Sequence, residues 1–114
     1  MASSRVLVTR PRNEARSLAA LLAARGMDAV IAPMIEIVGR DAALPGFVGV
    51  QAILCTSANG VRALARASDE RAVPVFAVGD ATARAARAAG FAAVDSAGGD
   101  VDGLARLVRD RLRP

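Results

Sequence analysis

Five short aliphatic runs, RVLVTR (5–10), AVIAPMIEIV (29–38), AILCT (52–56), PVFAVG (74–79) and AAVDS (92–96), alternate with Ala- and Arg-rich stretches of helical periodicity. This alternation is the strongest constraint on the fold, because strands separated by helices of this length close as βαβ units with a mostly parallel sheet. The intervening stretches predict helices over about 12–25, 58–67, 80–89 and 100–112. In the first of them Ala15, Leu18, Ala19 and Leu22 share one face, while Arg12, Glu14 and Arg16 turn outward. Gly26 and Gly90 stand where the left-handed residue that ends a helix belongs. The expected fold class is α/β.

One connection breaks the rhythm. Residues 39–51 (GRDAALPGFVGVQ) contain Pro45-Gly46 and have room only for a short helix. The run before them carries Pro33 and continues to Val38, so it reads as two strand pieces meeting at a proline that cannot donate to a ladder. The 54% hydrophobic and 3% aromatic content makes the core one of Ala, Val, Leu and Ile, and leaves little for aromatic stacking as a recognition device. No apolar run approaches the ~18 residues of a membrane span. The opening residues do not read as a charged-then-apolar leader, so export is not expected, and a single cysteine forms no internal disulfide. A cytoplasmic setting is the expectation.

Charge is more informative. All 15 basic residues are Arg, and His is absent. Residues 1–25 hold Arg5, Arg10, Arg12, Arg16 and Arg25 against Glu14 alone, so the whole net charge of +4 sits at the N-terminal end. Such a field favours an anionic partner, with a solvated Arg face as the plainer reading. A carboxylate- or phosphate-bearing small molecule suits it better than nucleic acid, for which no aromatic platform or binding motif is present. There is no G-x-G-x-x-G after the first strand and no P-loop, so dinucleotide and nucleoside-phosphate sites lack their fingerprints. Without His and with one Cys, an ordinary zinc or iron site and a Ser-His-Asp or Cys-His nucleophile are excluded within this sequence. Cys55 reads as a buried, inert thiol.

Ligands of parallel α/β sheets bind beyond the carboxyl ends of the strands. Here those ends read Thr9-Arg10-Pro11, Thr56-Ser57-Ala58-Asn59-Gly60, Gly79-Asp80-Ala81-Thr82 and Ser96-Ala97-Gly98-Gly99-Asp100. Each precedes a helix, so backbone N–H groups and the positive end of the helix dipole meet hydroxyls, an amide and glycines in one region. Arg10 adds a charged donor that can grip a carboxylate with two bonds. Helix capping by Ser57, Asp80 and Asp100 and simple turn geometry at Gly60 and Gly79 account for the same residues without any ligand.

Taken together, VLVTRPRNEARSLAALLAARGMDAVIAPMIEI, AILCTSANGVRAL and VFAVGDATARAARAAG, in this order and spacing, resemble the uroporphyrinogen-III synthase family. The resemblance runs from Arg5 to about Leu112 and implies flavodoxin-like α/β architecture, with this sequence covering the N-terminal half of a two-lobed chain. Residues 1–36 would form the βαβ segment of a first lobe and 37–114 the first part of a second. One compact five-stranded domain over 1–114 is the alternative. The implied reaction closes the linear tetrapyrrole hydroxymethylbilane with loss of water and inversion of one ring, through a spiro intermediate and with no cofactor or metal. A Tyr that the family presents from its later part has no counterpart here. On this resemblance Thr9, Arg10, Thr56, Ser57, Asn59, Gly60, Gly79 and Thr82 are the expected substrate-binding residues for a polycarboxylate, and no catalytic residue is singled out. A non-catalytic module binding a polycarboxylate is the alternative function, and self-association through residues 5–38 is a further expectation.

Overall fold

The computed structural model describes residues 4–40 and 43–114. Its elements run β1 (Arg5–Val8), α1 (Arg12–Ala23), β2 (Asp28–Ile31), β3 (Ile53–Cys55), α2 (Ala58–Ala67), β4 (Val75–Ala77), α3 (Asp80–Ala88), β5 (Val94–Ser96) and α4 (Val101–Arg111). The protein is α/β, and every strand pairing is parallel. The strands form a two-stranded sheet, β1-β2, and a three-stranded sheet, β3-β4-β5. The chain divides into two compact units, Met1–Gly39 and Arg40–Pro114.

In the first unit α1 packs on the β1-β2 sheet with Ala15 inward, and Val8 and Ala15 are its fully buried side chains. Leu18, Ala19 and Leu22 follow on the same side, half-buried, while Arg12 and Arg16 are exposed. Gly26 adopts φ 75°, which lets Met27 N–H reach back to the Leu22 carbonyl at 3.0 Å and turn the chain into β2. The strand stops at Ile31, before Pro33. Ala32 N–H still bonds the Val8 carbonyl at 2.8 Å and Met34 N–H the Thr9 carbonyl at 3.0 Å, but the proline between them has no N–H to offer. The second strand piece expected over 34–38 is not formed. Among the described residues no strand lies beside it past the Met34 bond, and Met34, Ile35, Ile37 and Val38 are exposed.

Of the connection 39–51, residues 41 and 42 lie outside the described residues. The rest holds a turn, closed by Val50 N–H to the Phe47 carbonyl at 3.1 Å, where a short helix was expected. Pro45 and Gly46 are poor helix formers, which accounts for the difference.

In the second unit β4 is the central strand, and Val75, Phe76 and Ala77 are all buried. On one face Cys55, Val61, Val75, Ala86 and Phe91 form the core, with Ile53, Leu64 and Val94 packed against it. Ala at the α3 positions lets that helix lie close to the strands. Phe76 points to the other face, where α4 packs on β4 and buries Leu104. Gly90 (φ 99°) ends α3, with Phe91 N–H returning to the Ala86 carbonyl at 3.2 Å. After α4 the chain is extended. Gln51 Nε2 donates to the Arg113 carbonyl at 2.7 Å and its Oε1 accepts from Arg113 N–H at 3.1 Å, so one side-chain amide pairs with the tail as a strand would.

Candidate functional site

The three strands of the second unit end level with one another. Cys55 lies opposite Ala77, and Ala77 opposite Ser96. Beyond them the ladder continues for a residue or two, with Val78 N–H on the Cys55 carbonyl at 2.9 Å and Ala97 N–H on the Ala77 carbonyl at 2.8 Å. The chain then enters α2, α3 and α4, whose first turns therefore border one edge of the sheet.

The ends of α2 and α4 are built alike. Gly60 N–H donates to Ser57 Oγ at 3.0 Å, and Gly103 N–H donates to Asp100 Oδ1 at 2.6 Å. Each is a side-chain cap on the third residue of its helix, worth about 1 kcal/mol. A Cβ on either glycine would come close to its cap, 3.3 Å from Ser57 Oγ or 3.1 Å from Asp100 Oδ1. Asp80 differs from the capping expectation. Gly79 is the residue before α3, and the Asp80 carboxylate instead accepts a 2.7 Å bond from Ser96 Oγ, tying α3 to the end of β5. Gly79 is explained by packing, since a Cβ there would meet Gly99 Cα at 3.2 Å.

Electrostatics separate the three helix starts. α3 opens with Asp80, and α4 with Asp100 followed by Asp102, so carboxylates already occupy those positive dipole ends. α2 has no acidic residue in its first turn. Thr56 and Ser57 are exposed there, and Asn59 turns its Oδ1 to Arg62 at 3.3 Å, which leaves its NH₂ as the outward donor. Arg62 is a contributor that strand-end reasoning missed. It lies a turn inside the helix, and only the i, i+3 spacing to Asn59 signals it.

The expected binding residues thus fall into three places. Thr56, Ser57, Asn59 and Gly60 are contiguous at the start of α2. Gly79 is half-buried at the neighbouring strand end, and Thr82, at 6% exposure, is buried within α3 with no outward-facing surface to speak of. Thr9 and Arg10 are exposed at the end of β1 in the first unit, next to α1, which has no side-chain cap and carries Glu14 in its first turn.

Cys55 is buried at the end of β3, and burial pushes its thiol above the ordinary value of 9.0. The chain has no Lys, Tyr or His, so Cys55 is the only side chain titrating between about pH 8 and 11. Below pH 9 the thiol is protonated in both states. Above it the unfolded chain releases its proton first, so stability falls as pH rises toward the higher folded value. Denaturant melts at about pH 8 and 10 should show this loss in the wild type and its absence in Cys55→Ala; equal losses would assign it to another group.

Among the described residues no helix is long and apolar enough to cross a membrane. A parallel sheet flanked by helices, with hydroxyl, amide and backbone groups gathered at its carboxyl edge, is consistent with a flavodoxin-like α/β lobe. The family model described as uroporphyrinogen-III synthase HemD matches residues 16–114, and the chain belongs to that family. Membership gives it a uroporphyrinogen-III synthase-like role in tetrapyrrole biosynthesis. No curated protein matches it.

Proposed function

We propose that the protein takes part in closing hydroxymethylbilane to uroporphyrinogen III, a ring closure with loss of water and inversion of one ring, in the cytoplasm. The observation that supports this reading most is the family match over residues 16–114, which spans the whole second unit and its sheet edge. The substrate carries eight carboxylates. At the start of α2 the Thr56 and Ser57 hydroxyls and the Asn59 NH₂ would donate to a carboxylate, favoured by the positive end of the helix dipole and without a competing acid, and Gly60 keeps the backbone accessible. Thr9 and Arg10 offer a hydroxyl and a guanidinium at the edge of the first unit. Gly79 acts through its backbone. Thr82 serves the edge by packing beneath it rather than by direct contact.

The work asked of these groups is orientation. Holding the linear substrate so that the inverting attack is the near one replaces acid–base catalysis as the main source of selectivity, in keeping with a sequence that has no His.

The test supplies freshly made hydroxymethylbilane, oxidises the products and separates type I from type III uroporphyrin. Type III above the spontaneous background supports the reading. Only type I, with substrate still bound in equilibrium dialysis, reduces the chain to a polycarboxylate-binding module. Neither product nor binding rejects both. Thr56→Val combined with Asn59→Leu should lower substrate affinity at least about tenfold, because donors to a charged group are lost, while the circular dichroism spectrum is unchanged.

A further inference from the structure

Beyond Asn59, the same side of α2 carries two arginines to which the proposed function gives no role. Asn59, Arg62 and Arg66 follow at spacings of three and four residues, so they share one stripe over about 10 Å of the helix. Arg62 Nη1 donates to Asn59 Oδ1 at 3.3 Å, which joins the first guanidinium to the start of the helix. Both arginines are exposed, and Arg66 has no hydrogen-bond or ion-pair partner among the described residues. The end of α2 does not call for Arg66, since Arg71 already serves the Ala65 carbonyl at 3.1 Å.

Carboxylates do not offset this stripe. α2 contains no acidic residue. Asp69 and Glu70 lie past its end, and Glu70 is spent on the Ala72 and Val73 N–H groups. Helix α3 packs beside α2 on the same face of the sheet and adds exposed Arg84 and Arg87 against Asp80 alone, which is tied to Ser96. On the opposite face α4 mixes the signs, with Asp102 and Asp110 among its arginines. The α2–α3 face is therefore the cationic one. A ligand with one carboxylate needs only the start of α2. A linear ligand with eight, laid along the helix, meets Asn59 and then two guanidinium groups, each able to grip a carboxylate with two bonds. Building on the proposed function, we infer that Arg62 and Arg66 are further subsites for that substrate's carboxylates, selecting ligands of high carboxylate number drawn in by the α2–α3 field.

The experiment titrates the full chain with two fluorescent probes, uroporphyrin, which has eight carboxylates, and coproporphyrin, which has half as many. The wild type should bind uroporphyrin about tenfold more tightly. Arg66→Gln should weaken uroporphyrin binding about threefold, and Arg62→Gln combined with Arg66→Gln about tenfold, which brings the two probes level. These losses should shrink as salt rises from about 0.05 to 0.5 M, because exposed charges are screened. Arg106→Gln with Arg109→Gln removes the same charge from the α4 face and should change binding less than about twofold. A wild type that binds both probes equally, or neither, overturns the inference, and this arm needs no variant to fold. So does a double α2 variant that binds like the wild type, or a loss that the α4 variant matches. The proposed ring closure is read separately, by the type III product. Type III formed with unchanged affinity in the α2 variants overturns this inference alone. No type III, with the preference for uroporphyrin present in the wild type and lost in the double variant, supports the inference and overturns only the ring closure.

Discussion

Replacing Arg71 by Ala should lower the free energy of unfolding by about 3–4 kcal/mol, near the top of the range for a single substitution. The guanidinium spends its donors on four backbone carbonyls: Nε on Ala89 at 2.9 Å, one terminal nitrogen on Ser68 at 2.8 Å and Glu70 at 2.7 Å, and the other on Ala65 at 3.1 Å. Its carbon lies 5.0 Å from the centre of the Phe91 ring. Ala65 belongs to the last turn of α2, and Ala89 follows directly after α3, so one side chain satisfies carbonyls at the negative ends of two helices and covers an aromatic residue of the core. A charged hydrogen bond contributes about 1.5–3 kcal/mol, and four sharing one group add up to less than their sum. Arg71→Lys should recover less than half of the loss, because an ammonium is a point donor without the planar fork that reaches both helices. Urea melts of the three proteins decide the matter. A loss below about 1 kcal/mol in Arg71→Ala would mean that water serves these carbonyls as well as the guanidinium does.

Gly103→Ala is the second large effect, and helix propensity alone assigns it the wrong sign. Ala in a helix is favoured over Gly by about 1 kcal/mol, and Gly103 is the third residue of α4. A Cβ at this position would stand 2.6 Å from the Ala97 carbonyl oxygen and 3.1 Å from Asp100 Oδ1, and the first of these is backbone. Relief requires the 97–99 segment to move, which disturbs the Gly99 N–H bond to the Val78 carbonyl at 2.7 Å and the close approach of Gly99 to Gly79. Strain and cap loss together exceed the propensity gain, and the net loss should be about 2 kcal/mol or more. Thermal unfolding of Gly103→Ala measures it. A raised midpoint would show that the loop yields freely and that the glycine is not required by packing.

The order and type of the elements were legible because period carries them. The runs at 5–10, 52–56, 74–79 and 92–96 each contain a strand, shortened at the ends where the partner strand stops. The four helices lie within the spans that apolar spacing marked out. The glycines at 26 and 90 end helices as their chemistry requires. Over 34–38 the pattern misled. Ile35, Ile37 and Val38 have strand propensity, but propensity produces a strand only where a neighbour supplies the other half of the ladder.

At the candidate site, sequence located the strand ends and the Ser57 and Asp100 caps. It did not separate the helix starts from one another. Asp80 looked like a cap, and bonding to Ser96 sixteen residues away made it a tie between α3 and β5. Thr82 stood among the expected substrate-binding residues, and the packing of α3 on the sheet buries it.

By itself, then, the sequence determined an α/β chain with parallel strands, an inert buried thiol, a positive N-terminal end and family motifs spread along its length, since all of these follow from local composition, period and order. The tertiary structure alone decided which strands pair, how closely the backbone at Gly99 and Ala97 approaches Gly79 and Gly103, and that Arg71 reaches carbonyls from Ala65 to Ala89. Those facts depend on distances between residues far apart in the chain, and a one-dimensional pattern carries no record of them until the backbone has closed.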